Sequence, residues 1–395
     1  MAKKEVKSFS NFIEKILNTE DVIIAHKKEY RTTSTTGIEL AQQIKKIRHL
    51  FQKQSIKPGH KIMILGKNSV NWIAVYFAAI LSGVTVIPLD LNIDTTLLNK
   101  IQKQVKAKAI FLDRQTNTNV KKFYFDQLPN LPLPSAKITK PSIRPDQVLQ
   151  ILYTSGTTGD PKGVILTHQN ILAGINAAIK TIPLTLRLRF LHLLPLSHIF
   201  GQVPGLFMLL YFRHKIYFID SVQPRQLISY IRNKRLHAVI IVPGLLNALK
   251  NHLEGKFVMR ELGLQFRLIG IGGAFLDKSL ESWWKRRLIL VLQGYGLTET
   301  ASMVSANNLL LGRTGSVGKI AKSVEIKLGQ DNEIMVKGKN ITKGYYQNKQ
   351  KTAKSFSNGW FKTGDIGEIK NGYLYLKERK KDIIVTSSGI NVYPI

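Results

Sequence analysis

Residues 61–89 restrict the fold more than any other stretch. Residues 62–65 read as a short apolar strand, 70–81 follow with helical length and spacing, and 84–87 read as a second strand. Residues 72–89 are uncharged and mainly apolar, close to the length of a membrane span. Ser82, Gly83 and Pro88 nevertheless break the run into a helix and a strand, so no transmembrane segment is expected. Strand, helix and strand in that order make a βαβ unit, whose strands lie parallel in a sheet covered by helices. The alternation recurs: 239–242 precede a helix at 245–253, 267–271 lead into Gly272-Gly273-Ala274, and 288–292 run up to Gly294. The expected fold is therefore α/β, in two or three subdomains, with ligands bound beyond the carboxyl ends of the strands. After about residue 310 the texture changes to short strands at 324–328, 333–337, 344–346 and 372–376 with Gly and Asn turns, which predicts a smaller β-rich subdomain over 311–380.

Within this frame residues 153–168 read Tyr-Thr-Ser-Gly-Thr-Thr-Gly-Asp-Pro-Lys-Gly-Val-Ile-Leu-Thr-His. Thr154, Ser155, Thr157 and Thr158 supply hydroxyl donors, Gly156, Gly159 and Gly163 let the backbone approach an anion, and Lys162 adds positive charge. That combination is phosphate-binding chemistry. Apolar residues 148–152 precede the run and 164–180 follow with helical spacing, so the loop is expected between a strand and a helix. It is not the G-x-x-x-x-G-K-[ST] loop, because Pro161 and Lys162 stand between Gly159 and Gly163.

Three further stretches offer nucleoside and metal chemistry. In Gly294-Tyr295-Gly296-Leu297-Thr298-Glu299-Thr300, glycines flank a ring that could stack on a base, and Glu299 offers a carboxylate to a hard cation such as Mg²⁺. Asp365 sits in the turn Thr363-Gly364-Asp365, where a carboxylate can accept both hydroxyls of a ribose. Arg379-Lys380-Lys381-Asp382 follows.

Together, and in this order, these motifs resemble those of the adenylate-forming superfamily, which includes acyl-CoA synthetases, peptide-synthetase adenylation domains and firefly luciferase. The resemblance runs from about Gly59 to the last residue. It implies an N-terminal domain of two parallel αβαβα subdomains within 1–310 plus the β-rich subdomain, and activation of a carboxylate by ATP to an acyl-adenylate. By resemblance, Thr154 to Gly159 and Lys162 bind the phosphates, Tyr295 stacks on adenine, Thr298 contacts the adenylate phosphate and Glu299 ligates Mg²⁺. Asp365 and Arg379 then hold the ribose, and Gly294 and Gly296 complete the nucleotide site. Gly272, Gly273 and Ala274 resemble the backbone wall between adenine and acyl group. Leu194 to Gly201 resemble the carboxylate-site motif of fatty acyl members, placing His198, Phe200 and Gly273 at the acyl pocket. Lys162, Thr298, Glu299 and His198 are the expected catalytic residues. Lys381 matches the family's hinge, so 381–395 are expected to be the hinge and the start of a mobile C-terminal domain that is otherwise absent, with weak turnover from this chain alone. The expected reactants are a carboxylate, most simply a fatty acid, ATP with Mg²⁺, and CoA or an acyl carrier protein. The alternatives are a ligase specific for the carrier or stopping at the adenylate, and a non-catalytic binder of nucleotide or acyl-adenylate.

Composition narrows the partners. With no cysteine in 395 residues, disulfides and a covalent thiol nucleophile are excluded. A formal charge of +33 implies an acidic partner or surface, such as an anionic membrane, a carrier protein or CoA. Nucleic acid is not expected, since no recognition module is evident. Phe9, Phe12, Ile13, Ile16 and Leu17 form one helical stripe, which suits either docking on the domain or lying on a membrane surface. The expected location is cytoplasmic, with peripheral contact at the inner face of the membrane.

Overall fold

Nine consecutive side chains, from Trp72 to Ile80, are fully buried, so the helix that carries them has no solvent face. The structure, a computed structural model, describes residues 5–28, 31–135, 138, 141–154, 161–309 and 312–380, and the backbone alone of 384–385 and 391–392. Helices α1 (Phe9–Leu17), α2 (Gly37–Lys53), α3 (Val70–Leu81), α4 (Thr95–Val105) and α5 (His168–Thr181) are the longer ones of the first half. The strands used below are, in chain order, β1 (Val22–Lys28), β2 (Arg31–Thr36), β3 (Lys61–Leu65), β4 (Thr85–Leu89), β5 (Ala109–Leu112), β6 (Lys121–Tyr124), β7 (Val148–Thr154), β8 (Lys162–Thr167), β9 (Arg189–His192), β10 (Lys215–Ile219), β11 (Ala238–Ile241), β12 (Leu268–Ile271), β13 (Leu290–Tyr295), β14 (Ser305–Ala306), β15 (Lys319–Ile320), β16 (Val324–Leu328), β17 (Glu333–Gly338), β18 (Phe356–Ser357), β19 (Trp360–Lys370) and β20 (Tyr373–Arg379).

Two sheets result. The first runs β6-β5-β3-β4-β7-β8, parallel except for the antiparallel edge pair β7/β8. The second runs β16-β17-β19-β20-β15-β14-β13-β12-β11-β9-β10-β1-β2. Its six strands from β13 to β1 are parallel, while β2 and all strands from β14 outward are antiparallel. The parallel cores that the alternation predicts are present, and antiparallel strands extend them: β8 on the first sheet, β2 and the strands from β14 outward on the second.

One correction concerns the glycine- and hydroxyl-rich run. It does not enter a helix: Lys162–Thr167 is a strand, paired back on β7 with Tyr153 opposite Gly163 and Thr154 opposite Lys162. Val164 and Leu166 bury their side chains in the sheet, and the helix waits for Thr167, whose hydroxyl caps Asn170 N–H while the Asn170 side chain caps Thr167 N–H. Likewise 344–346 form no strand; Tyr345 makes one antiparallel bridge to Val164.

The stripe of α1 is turned inward. Phe9, Phe12, Ile13, Ile16 and Leu17 are all buried, with Phe9 and Phe12 against Phe207 at 5.5 and 5.9 Å between ring centroids. That face is therefore not free to meet a membrane. Among the described residues no helix is long and apolar enough to cross one.

A buried polar cluster joins α3, β7 and the segment that follows β9. Tyr76 Oη donates to Gln150 Oε1 at 2.9 Å and to Gln202 Oε1 at 3.2 Å, Gln150 Nε2 donates to Gln202 Oε1 at 2.8 Å, and Gln202 Nε2 donates to the Leu196 carbonyl at 2.8 Å. Gln202→Leu would leave the Gln150 amide N–H and the Leu196 carbonyl short of a partner in a dry core. We expect a loss of roughly 2 kcal/mol or more of unfolding free energy, measured by urea denaturation with an unchanged m-value.

Candidate functional site

The carboxyl ends of β12 and β13 open onto a cavity of about 380 Å³. Three of the sequence motifs meet there: His198 and Phe200 from the acyl motif, Gly272 and Gly273 from the glycine wall, and Gly294, Gly296 and Thr298 from the stretch after β13. Arg379 reaches the same cavity from β20. Ala274, the third residue of the wall stretch, is exposed and does not line the cavity. A side chain at Gly272 would meet the Phe200 ring at 3.0 Å and the Gly294 carbonyl at 3.2 Å, so only hydrogen fits without displacing one of them. At Gly296 a Cβ would fall 2.1 Å from the Ser302 carbonyl, which lets the turn after β13 fold back on itself.

The acyl motif is held at several points. Asn68 Nδ2 donates to the Leu194 carbonyl at 2.7 Å and Asn68 Oδ1 accepts from Leu196 N–H at 2.8 Å. His192 Nε2 lies 2.9 Å from the Gly201 carbonyl. His198 itself is half-exposed and pairs through Nε2 with Asp90 Oδ2 at 3.3 Å, across from the end of β4. Neither Asn68, Asp90 nor Gln202 was singled out in the sequence. Asp90 carried the one usable signal, a carboxylate directly after a buried parallel strand.

A second cluster lies behind the nucleotide motifs. Tyr295 Oη donates to Asp365 Oδ2 at 2.7 Å, and Arg379 Nε donates to Asp365 Oδ1 at 3.0 Å. Asp365 and Arg379 are direct cross-strand partners, so the sheet itself sets their contact. Burial raises the Asp365 carboxyl above its ordinary range, against the opposing pull of Tyr295 and Arg379. Tyr295 is itself buried, with its hydroxyl committed to Asp365, so the ring is less open than the flanking glycines suggest.

Glu299 receives the Tyr345 hydroxyl on Oε1 at 2.8 Å, and its carbonyl accepts from Thr342 N–H at 2.7 Å. Tyr345 is brought there by its bridge to β8 and by the Tyr346 N–H to Gly163 carbonyl bond at 2.7 Å. The hairpin that carries Thr154 and Lys162 is therefore tied directly to Glu299. Ser155, Gly156, Thr157, Thr158 and Gly159 lie outside the described residues, as does Lys381. Among the described residues no group of three or more His, Asp or Glu side chains forms a metal site. A lone Glu299 carboxylate fits an ion that arrives with phosphates, the usual way Mg²⁺ is held beside nucleotides.

A family model described as AMP-binding enzyme matches residues 16–346. The 2-succinylbenzoate–CoA ligase of Listeria innocua is 28% identical over 367 residues, covering 90% of this chain and 75% of that protein. The same enzyme of Listeria monocytogenes is 34% identical over 247 residues, 62% of this chain and 51% of that protein. The O-succinylbenzoate coenzyme A synthetase of Bacillus subtilis in complex with AMP superposes with TM-score 0.82 at 26% identity, covering 97% of this chain and 81% of that one. The N-terminal domain of FACL13 from Mycobacterium tuberculosis shares the fold, with TM-score 0.81 at 23% identity over 94% of this chain and all of that one.

His192, His168 and His214, all in the core, have their pKa lowered by burial from 6.5 to about 4. The unfolded chain takes up these protons near pH 6.5 and the folded chain only near 4. The stability tied to the neutral rings is complete above pH 6.5 and lost as pH falls towards 4. We expect the melting temperature to decline through that window, and His214→Asn to take up about one proton fewer on unfolding near pH 5.

Proposed function

Because the chain belongs to the AMP-binding enzyme family, we propose that it binds ATP and a carboxylate and forms an acyl-adenylate, which is then passed to CoA. The carboxylate oxygen attacks the α-phosphorus in line and pyrophosphate leaves; no general base is required, since the acid is already ionised at neutral pH. In this reading Lys162, Thr154 and the loop from Ser155 to Gly159 hold the phosphates. Thr298 borders the new phosphoryl–acyl bond. Asp365 and Arg379 take the ribose, with Tyr295 bordering the base and orienting Asp365. Glu299 would hold the Mg²⁺ that neutralises the phosphates. Catalysis then rests on positioning and preorganised charge.

The acyl substrate we propose is a fatty acid. The observation that carries this is the character of the cavity's far wall: Leu184, Phe190, Met208, Leu268, Leu292 and Met303 surround it. Among the described lining residues Arg379 and His198 are the only cationic or titratable ones, and both stand at the mouth beside the nucleotide motifs. Succinylbenzoate carries a second carboxylate, which this wall would bury without a partner at high cost. A neutral hydrocarbon tail leaves nothing unpaired. The modest cavity volume favours a short or medium chain over a long one.

The test is thermal unfolding with non-hydrolysable adenylate analogues. Alkanoyl analogues should raise the melting temperature more than AMP does, by the equivalent of about 2.7 kcal/mol at a hundred times the dissociation constant, and the succinylbenzoyl analogue should not. A larger shift from the succinylbenzoyl analogue would overturn the fatty acid reading. Asp365→Asn should weaken AMP and every analogue together, by roughly tenfold or more, since it removes charge from the ribose contact.

A further inference from the structure

The four most exposed large apolar side chains among the described residues are Leu186, Leu288, Phe257 and Leu264, at 74%, 73%, 72% and 72%. Leu186, Leu264 and Leu288 stand just before β9, β12 and β13, in connections that enter parallel strands of the second sheet, and Phe257 lies in the turn between the two helices, Pro243–Leu253 and Val258–Leu262, that precede β12. Since β13, β12, β11, β9 and β10 are parallel neighbours, their entrances lie along one edge, about 20 Å wide at 4.8 Å per strand. The catalytic motifs lie at the other edge.

The same connections are strongly basic. Segments 186–189, 213–215, 234–237, 254–267 and 285–290 hold twelve lysines and arginines against two carboxylates, Glu254 and Glu261. Where β1, β9 and β10 begin, Arg187, Arg189, Arg213 and Lys215 line a hollow of about 290 Å³ in which Asp21, paired with Arg187 at 3.2 Å, is the lone carboxylate. The hollow has the size and charge for a phosphate headgroup.

This edge also closes the far end of the acyl cavity, whose lining includes Leu184, Phe190 at the second position of β9 and Leu268 at the first of β12. Leu186 stands two residues beyond Leu184.

We propose that the strand-entry edge of the second sheet docks on an anionic lipid bilayer, with Leu186, Phe257, Leu264 and Leu288 entering the acyl boundary and the surrounding cations meeting phosphate headgroups. Apolar side chains set among cations on one face are what interfacial binding needs. An acidic carrier protein fits less well, because it must bring its thiol to the adenylate at the opposite edge, a strand's length of roughly 15 Å away. A nucleic acid would use the cations and leave the leucines in water. The inference stands on the edge itself and does not depend on the substrate.

Vesicle co-sedimentation of the full chain tests it. Binding is expected to vesicles of phosphatidylcholine with phosphatidylglycerol, to be weak on phosphatidylcholine alone, and to fall as salt rises. The variant Leu186→Ser, Phe257→Ser, Leu264→Ser, Leu288→Ser should lose affinity tenfold or more while keeping the parent's melting temperature and its shift with adenylate analogues. Should that variant melt early, Arg187→Glu with Arg213→Glu supplies the comparison and should lose binding to the anionic vesicles alone. Equal binding by parent and variants would overturn the proposal. So would capture by heparin or an acidic carrier protein without vesicle binding.

Discussion

Tyr76, Gln150 and Gln202 are all fully buried, and their contact brings three separate parts of the chain together. Tyr76 belongs to α3, Gln150 to β7, which leads into the glycine- and hydroxyl-rich run, and Gln202 to the helical segment after His198. Their hydrogen bonds pin the acyl motif to the first sheet, with Gln202 continuing to the Leu196 carbonyl. In a dry core such a cluster has few alternatives, since any shift strands a donor or acceptor. It therefore fixes the segment after β9, which carries the acyl motif, against α3 and the first sheet.

A similar logic fastens the β-rich part. Asn170 Nδ2 donates to the carbonyls of Lys339 and Ile341, both at 2.8 Å. Asn340 Nδ2 donates to those of Thr300 and Met303 at 2.8 and 2.7 Å. Two buried amides thus hold the loop after β17 against α5 on one side and against the Thr298–Glu299 turn on the other. With Tyr345 on Glu299 and Asp365 on Tyr295, each nucleotide motif rests on a residue from a different part of the chain.

How much of this was legible in the sequence depends on whether the signal was local. Helix Val70–Leu81 was readable to the residue, because a run between Ser69 and Ser82 that is apolar at every position but Asn71 has one sensible reading. Strands β16 and β17 were readable from alternation and turns. The phosphate run was misplaced before a helix because Val164, Ile165 and Leu166 suit either a helix or a strand over so short a stretch, and only pairing with β7 decides it. Asn68 and Gln202 were not legible, since their roles come from partners 126 and 6 residues away that no spacing announces, and Asp90 offered only its place after a buried strand, its partner His198 lying far along the chain. The charge was visible as a total, but where it gathers follows only from the strand order, which brings five connections far apart in sequence to one edge.

The second sheet also has a geometric consequence. Its path runs through thirteen strands, and at about 20–25° between neighbours an ordinary sheet of that length would turn through well over half a circle. Strands β14 and β15, of two residues each, form its narrowest part. Beyond them the coil of the sheet carries β19 and β20 back towards the end of β13, close enough for Asp365 to accept the Tyr295 hydroxyl. The Tyr295–Asp365 contact is in this sense a product of curvature: strands four places apart along the path meet because the sheet winds.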